Sequence, residues 1–163
     1  MILNLRKLIF LISGLNIKKA KTEINKLNNF SIFEFKNWHI NQRKKIVKYH
    51  YDNNNLYKNL CKNGIELEWD DLPVIKKSVF QRPLEEIFSN GYNKKNTYVS
   101  NTSGSSGVPL FFAKSKHSHS MTWEIIRQRY RILGLNENSR QARFYGIPLN
   151  KVSYFSEKLK DQI

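Results

Sequence analysis

TYVSNTSGSSGVPLFFA, residues 97–113, decides how the rest of the chain is read. Thr97–Ser100 and Leu110–Ala113 are β-prone, and the residues between them are not. Thr102-Ser103-Gly104-Ser105-Ser106-Gly107 packs four hydroxyls and two glycines into six residues. The pattern predicts a loop between two short strands. Glycines let the backbone take positive φ and turn N–H groups inward. Several inward N–H groups form a concavity that favours anions. The hydroxyls add donors that rotate to meet phosphate oxygens, and Pro109 stiffens the exit. Such a loop suits a polyphosphate. It is neither a Walker A loop, which needs a Gly-Lys pair, nor G-x-G-x-x-G. By composition alone a flexible Ser/Gly turn fits equally well.

Working outward, a mix of helices and short strands predicts an α/β or α+β class. Trp38 to about Tyr51 shows apolar residues at helical spacing, broken by Asn53, Asn54 and Asn55. Leu56–Leu60 restarts a short helix that Gly64 can end. Ser78 and Gln81 have capping-box spacing, so a helix starting there and limited by Pro83 is expected. Ser89-Asn90-Gly91 reads as a turn. A helix capped by Ser118 or Ser120 runs to about Leu133 and stops at Gly134, with Trp123, Ile126, Tyr130 and Leu133 as its apolar stripe. Gln141–Ile147 reads as a strand, and SYFSEKLKDQI as the start of a further helix. Residues 1–35 read as an N-terminal helical or extended segment, polar from 20 onward, and residues 36–163 as one incomplete domain region.

The chain has 163 residues and a formal charge of +15, so it can bury one core. Such a charge raises nucleic acid or an anionic membrane as partners. It is not gathered into one tract, and general enrichment in Lys, Asn and Ile accounts for it better. Leu8–Leu15 is too short to span a bilayer and lacks a small-x-small cleavage site. A packed helix is expected there, with peripheral contact to a membrane surface as the alternative. Cys61 is the sole cysteine. It predicts a reduced, cytoplasmic setting and no C-x-x-C metal pattern. His117-x-His119 lacks the further ligands a zinc site needs. Arg127, Arg129 and Arg131 read as a solvated face, with a nucleotide or coenzyme A phosphate contact as the sharper alternative. No residue stands out as a catalytic acid, base or nucleophile, and none as a metal ligand.

Residue order sharpens the loop. T-S-G-S-S-G-V-P-L, residues 102–110, closely resembles the phosphate loop of the adenylate-forming (acyl-CoA synthetase) superfamily, usually Ser/Thr-Ser-Gly-Ser/Thr-Thr-Gly-x-Pro. More narrowly, the chain resembles the phenylacetate–coenzyme A ligase branch with its capsular-polysaccharide CapK-type members. KYHYDNNNLYKNL (48–60) is similar to the branch's "hvPyYr" region, LPVIKKSVF (72–80) to its LP-x-x-x-K segment with Lys77 at the lysine, and the Arg-rich helix ending at Gly134 to the helix after the loop. Only the loop motif is specific. Ser106 replaces the usual second Thr and keeps the hydroxyl, and the "vPyY" proline is missing near Asn54 or Asn55.

The resemblance implies the N-terminal part of an adenylate-forming domain. It implies an ATP-dependent ligase that activates a carboxylate as an acyl-adenylate and passes it to a thiol such as coenzyme A, in the CapK-type case for cell-surface polysaccharide synthesis. Thr102, Ser103, Gly104, Ser105, Ser106 and Gly107 would bind the nucleotide phosphates, with Mg²⁺ sharing the charge. Family members are several hundred residues long, and their later adenine, ribose and lysine motifs are missing before Ile163. The expectation is therefore a fragment, inactive alone, completed by a C-terminal companion polypeptide. A small basic nucleic-acid-binding module and an inactive partner-binding remnant are the alternatives.

Overall fold

The structure, a computed structural model, describes residues 5–62, 66, 68–102, 107–135 and 139. Six α-helices and one two-stranded antiparallel sheet make up its regular elements among those residues, the mixture of helix and strand that the sequence predicts. The expected strand at 141–147, the helix after it and the Gly64 stop lie outside the described residues.

Helix α1 (Leu5–Ile12) ends at Gly14, whose φ of 70° is left-handed. There the Leu15 N–H reaches back to the Phe10 carbonyl at 2.8 Å, closing the last turn. Phe10 is buried and packs on Trp123, ring centroids 5.5 Å apart, while Leu11 and Ile12 face outward. Helix α2 (Ile17–Asn28) follows, where the sequence reads only as polar. Its lysines hide a short stripe: Ala20 and Ile24, four residues apart, are its buried residues and face α6 (Lys116–Ile132). Polar clasps hold this pair. Ser120 Oγ accepts the Asn16 N–H at 3.0 Å and donates to the Lys116 carbonyl at 2.8 Å. Farther along, the Gln128 amide donates to Asn25 at 3.2 Å and accepts from Asn28 at 3.1 Å.

Helix α3 (Ile32–Asn53) begins well before Trp38. Ser31 and Glu34 form a capping box: the Glu34 N–H donates to Ser31 Oγ (3.2 Å), and the Ser31 N–H to the Glu34 carboxylate (2.8 Å). None of its residues is buried. Asn54 ends it and caps α4 (Asn55–Leu60), accepting the Tyr57 N–H at 2.8 Å. The asparagine run is thus the predicted break, used as a cap. Cys61 follows α4, buried and free, its backbone N–H donating to the Tyr57 carbonyl at 2.9 Å. That is the surrounding of an inert core thiol.

The capping box expected at Ser78 and Gln81 does not form. Lys77–Phe80 is a single 3-10 turn without a side-chain cap, and the Gln81 amide is engaged elsewhere. The helix starts instead after Pro83, as the one-turn α5 (Leu84–Ile87) with Leu84 buried. Ser89–Gly91 turns as predicted, the Tyr92 N–H donating to the Ser89 carbonyl at 3.0 Å with Gly91 at φ 82°. Strands β1 (Thr97–Asn101) and β2 (Phe111–Ser115) pair from Thr97 opposite Ser115 to Asn101 opposite Phe111. Ser115, rather than Ser118 or Ser120, caps α6. At its far end the Leu135 N–H reaches the Tyr130 carbonyl at 2.8 Å around Gly134, the predicted stop. Leu133 is 71 % exposed and so drops out of the predicted apolar stripe. No helix among the described residues is long and apolar enough to cross a membrane.

Candidate functional site

The hairpin brings the two ends of the Ser/Gly stretch together. One residue beyond the last strand pair, the Thr102 N–H donates to the Leu110 carbonyl at 2.9 Å. The Leu110 N–H returns a bond to Thr102 Oγ1 at 3.0 Å. Two backbone amides, a carbonyl and one hydroxyl therefore pin the neck of the loop. The Thr102 oxygen is used in that clamp, and its own hydrogen remains to donate outward. Gly107, where the described chain resumes, has φ 112° with open space around it. Only glycine holds that conformation without backbone strain. Ser103, Gly104, Ser105 and Ser106 lie outside the described residues.

A second segment touches the loop exit. The Gln81 side-chain amide donates to the Val108 carbonyl at 3.1 Å. This bond draws the 3-10 turn that starts at Lys77 to the loop, although twenty-seven positions separate its two residues. Lys76 and Lys77 are both exposed beside it in sequence. Nothing in the local pattern marks Gln81 for this job, since its spacing from Ser78 mimics a cap.

The helix that follows the hairpin does not point its N-terminus at the loop. Helix α6 starts after Ser115, four residues along β2 from the loop end, or about 14 Å at the usual rise of a strand. Its dipole therefore acts at the opposite end of the sheet. The arginines of α6 also behave differently from a solvated face. Glu124 is fully buried; Arg131 donates to it at 2.9 Å, and Arg127 lies 3.7 Å away. Arg129 is exposed.

The two histidines separate. His117 Nε2 meets the Glu23 carboxylate at 3.2 Å. His119 lies flat on Tyr98, centroids 3.7 Å apart, and its Nε2 accepts the Trp123 indole N–H at 3.1 Å. Burial, with help from Lys114 and Lys116, holds its pKa below the ordinary 6.5. Among the described residues no three His, Cys, Asp or Glu side chains gather as metal ligands would. No family model, curated protein or solved structure matches the chain.

Proposed function

We propose that the 102–107 loop grips the β- and γ-phosphates of ATP and that the chain is the N-terminal part of an adenylate-forming, carboxylate-activating ligase. The observation that carries this reading is the clamped neck. A Ser/Gly stretch whose ends are pinned by Thr102–Leu110, with Gly107 in a conformation that favours glycine, suits an anion-gripping loop. The order T-S-G-S-S-G-V-P fits the same role. Ser103, Ser105, Ser106 and the backbone amides of the loop would meet the phosphates, and the Thr102 hydroxyl hydrogen would donate at the neck. Lys76 and Lys77, drawn near by the Gln81–Val108 bond, would add positive charge.

In the reaction a carboxylate attacks the α-phosphate, pyrophosphate leaves, and a thiol such as coenzyme A then takes the acyl group. The loop's contribution is positional and electrostatic: it holds the pyrophosphate that departs and stabilises the charge gathering on it. Mg²⁺ would share that charge, carried in by the nucleotide.

The test is calorimetric titration of the chain with Mg·ATP and Mg·pyrophosphate. Both should bind saturably and compete. Gly107→Ala meets no neighbouring atom, so it changes only the backbone preference, at about 1–2 kcal/mol. It should weaken both ligands by about tenfold while leaving the melting temperature nearly unchanged. Absence of saturable binding in the parent chain defeats the reading. Alone, the chain should give no carboxylate-dependent pyrophosphate exchange above background, because the reading assigns it the phosphate loop and no catalytic residue.

A further inference from the structure

A cleft of about 550 Å³ opens between α3–α4 and the hairpin. Its floor is well ordered by packing. Leu84, Thr97, Asn54 and Ser89 there are all buried, none more than 9 % exposed. Its mouth is open, with Ile46, Leu60, Tyr49 and Tyr92 around it. Ile75, Phe80, Ile87 and Phe88 supply further walls. That size and an apolar lining with a few convergent polar groups are what small-molecule sites have.

The polar groups of the floor are wired to one another. The Asn54 amide donates to the Ile87 carbonyl (2.7 Å) and to Ser89 Oγ (3.2 Å). Ser89 Oγ in turn lies 3.3 Å from His50 Nδ1. Thr97 Oγ1 donates to the Asn93 carbonyl at 2.7 Å. The relay takes up His50 Nδ1 and leaves Nε2 for another partner.

Lys114 is the one residue with a charged side chain at this lining among the described residues. Thr97, Ala113 and Ser115 form the sheet wall, since alternate strand residues share a face. Lys114 belongs to the opposite face, where its ammonium sits 5.7 Å from the centre of the Phe112 ring. Among the described residues no Asp, Glu or Arg lines the cleft. A carboxylate or phosphate placed here would lose its hydration without gaining a counter-charge.

We propose that this cleft binds an uncharged, mainly apolar small molecule, an aromatic or branched aliphatic compound with one hydrogen-bonding group directed at His50. The site is separate from the phosphate loop, and its existence does not depend on the ligase reading.

The probe pair 1-naphthol and 1-naphthoate shares one ring system and differs in charge, so it isolates the claim. Fluorescence titration of the parent chain should show saturable 1:1 binding of 1-naphthol and at least about tenfold weaker binding of 1-naphthoate. Ala113→Phe fills the sheet wall and Leu60→Trp narrows the mouth; each should weaken naphthol at least about fivefold. Phe33→Ser, on α3 outside the cleft, should leave it unchanged. Failure of naphthol to saturate, equal affinity for the two probes, or loss of binding in Phe33→Ser overturns the proposal. Should Ala113→Phe fail to fold by circular dichroism, Leu60→Trp at the rim and the probe pair on the parent chain still decide it.

Discussion

His119 can accept the Trp123 indole N–H only through a deprotonated Nε2, and burial and two neighbouring lysines oppose any charge on the ring. His50, half-buried against Tyr49 and Tyr57, is likewise held below 6.5 by burial. Both rings therefore take a proton less readily when folded than when unfolded. As pH falls below 6.5 the unfolded chain binds protons that the folded chain refuses, so stability drops; above 6.5 the effect vanishes. Thermal melts should show a decline as pH is lowered from 7 through 6, a range in which histidine is the side chain that ordinarily titrates. His119→Phe with His50→Gln should flatten that slope, and an unchanged slope in the double variant would refute the assignment. In the sequence, His117 and His119 are two identical letters two positions apart. Their different fates come from tertiary neighbours, Glu23 on α2 and Tyr98 on β1, which no local spacing announces. Ser31-x-x-Glu34 forms a capping box, a local device, yet a reading that starts this helix at Trp38 passes over it. Ser78-x-x-Gln81 has the same form and fails, because Gln81 finds a better partner across the fold.

At the scale of elements, α2 and α6 meet through small and polar residues more than through large apolar ones. Fully buried Ala20 and Ser120 let the helices approach, and Glu124 is fully buried with them. The sequence shows α2 as a run of lysines, yet Ile17, Ala20, Ile24 and Leu27 recur among them at helical spacing, a stripe that the lysines mask. The arginines of α6 mislead in the same way: a charge looks solvated until its partner is buried. The pairing is lopsided, for Glu124 is shut away while Arg131 is about half exposed. Removing the arginine strands a buried carboxylate with Arg127 as its remaining close cation; neutralising the glutamate leaves Arg131 able to turn to water. Arg131→Ala should thus cost about 1–3 kcal/mol, and more than Glu124→Gln. Urea unfolding of the two variants measures the order, and the reverse order would show that the arginine, not the glutamate, is the stranded partner. The hairpin, by contrast, was legible at this scale. β-prone runs on both sides of a Gly-rich stretch leave few alternatives to a strand–loop–strand. Its exact pairing and the Thr102–Leu110 clamp needed coordinates.

Across the whole molecule the buried apolar side chains of the described residues are few: Phe10, Ala20, Ile24, Cys61 and Leu84. They lie on α1 and α2, just past α4, and on α5; α1 and α2 pack against α6. None belongs to α3, the longest helix, whose Ile32 and Phe33 are each more than 70 % exposed. Composition could not foresee this, because α3 carries as many aromatic and aliphatic residues as a core helix. What they lack is a packing partner, and partners are a property of the assembled chain. A helix held mainly by its capping box and by α4 opens at low cost, while α2 and α6 must separate from each other to open. Native-state hydrogen exchange should therefore run in a fixed order. Amides of α6 near Glu124 and of α2 near Ile24 should exchange slowest, followed by the hairpin, and those of α3 from Lys36 to Lys45 fastest among the helices of twelve residues or more. Protection of α3 equal to that of α6 in the isolated chain would mean that α3 is covered after all, and the peripheral position given to it here would be wrong. Slow exchange confined to the Asn54 end of α3 fits the proposed order, because that end alone is tied to the floor of the cleft through Ser89 and Ile87.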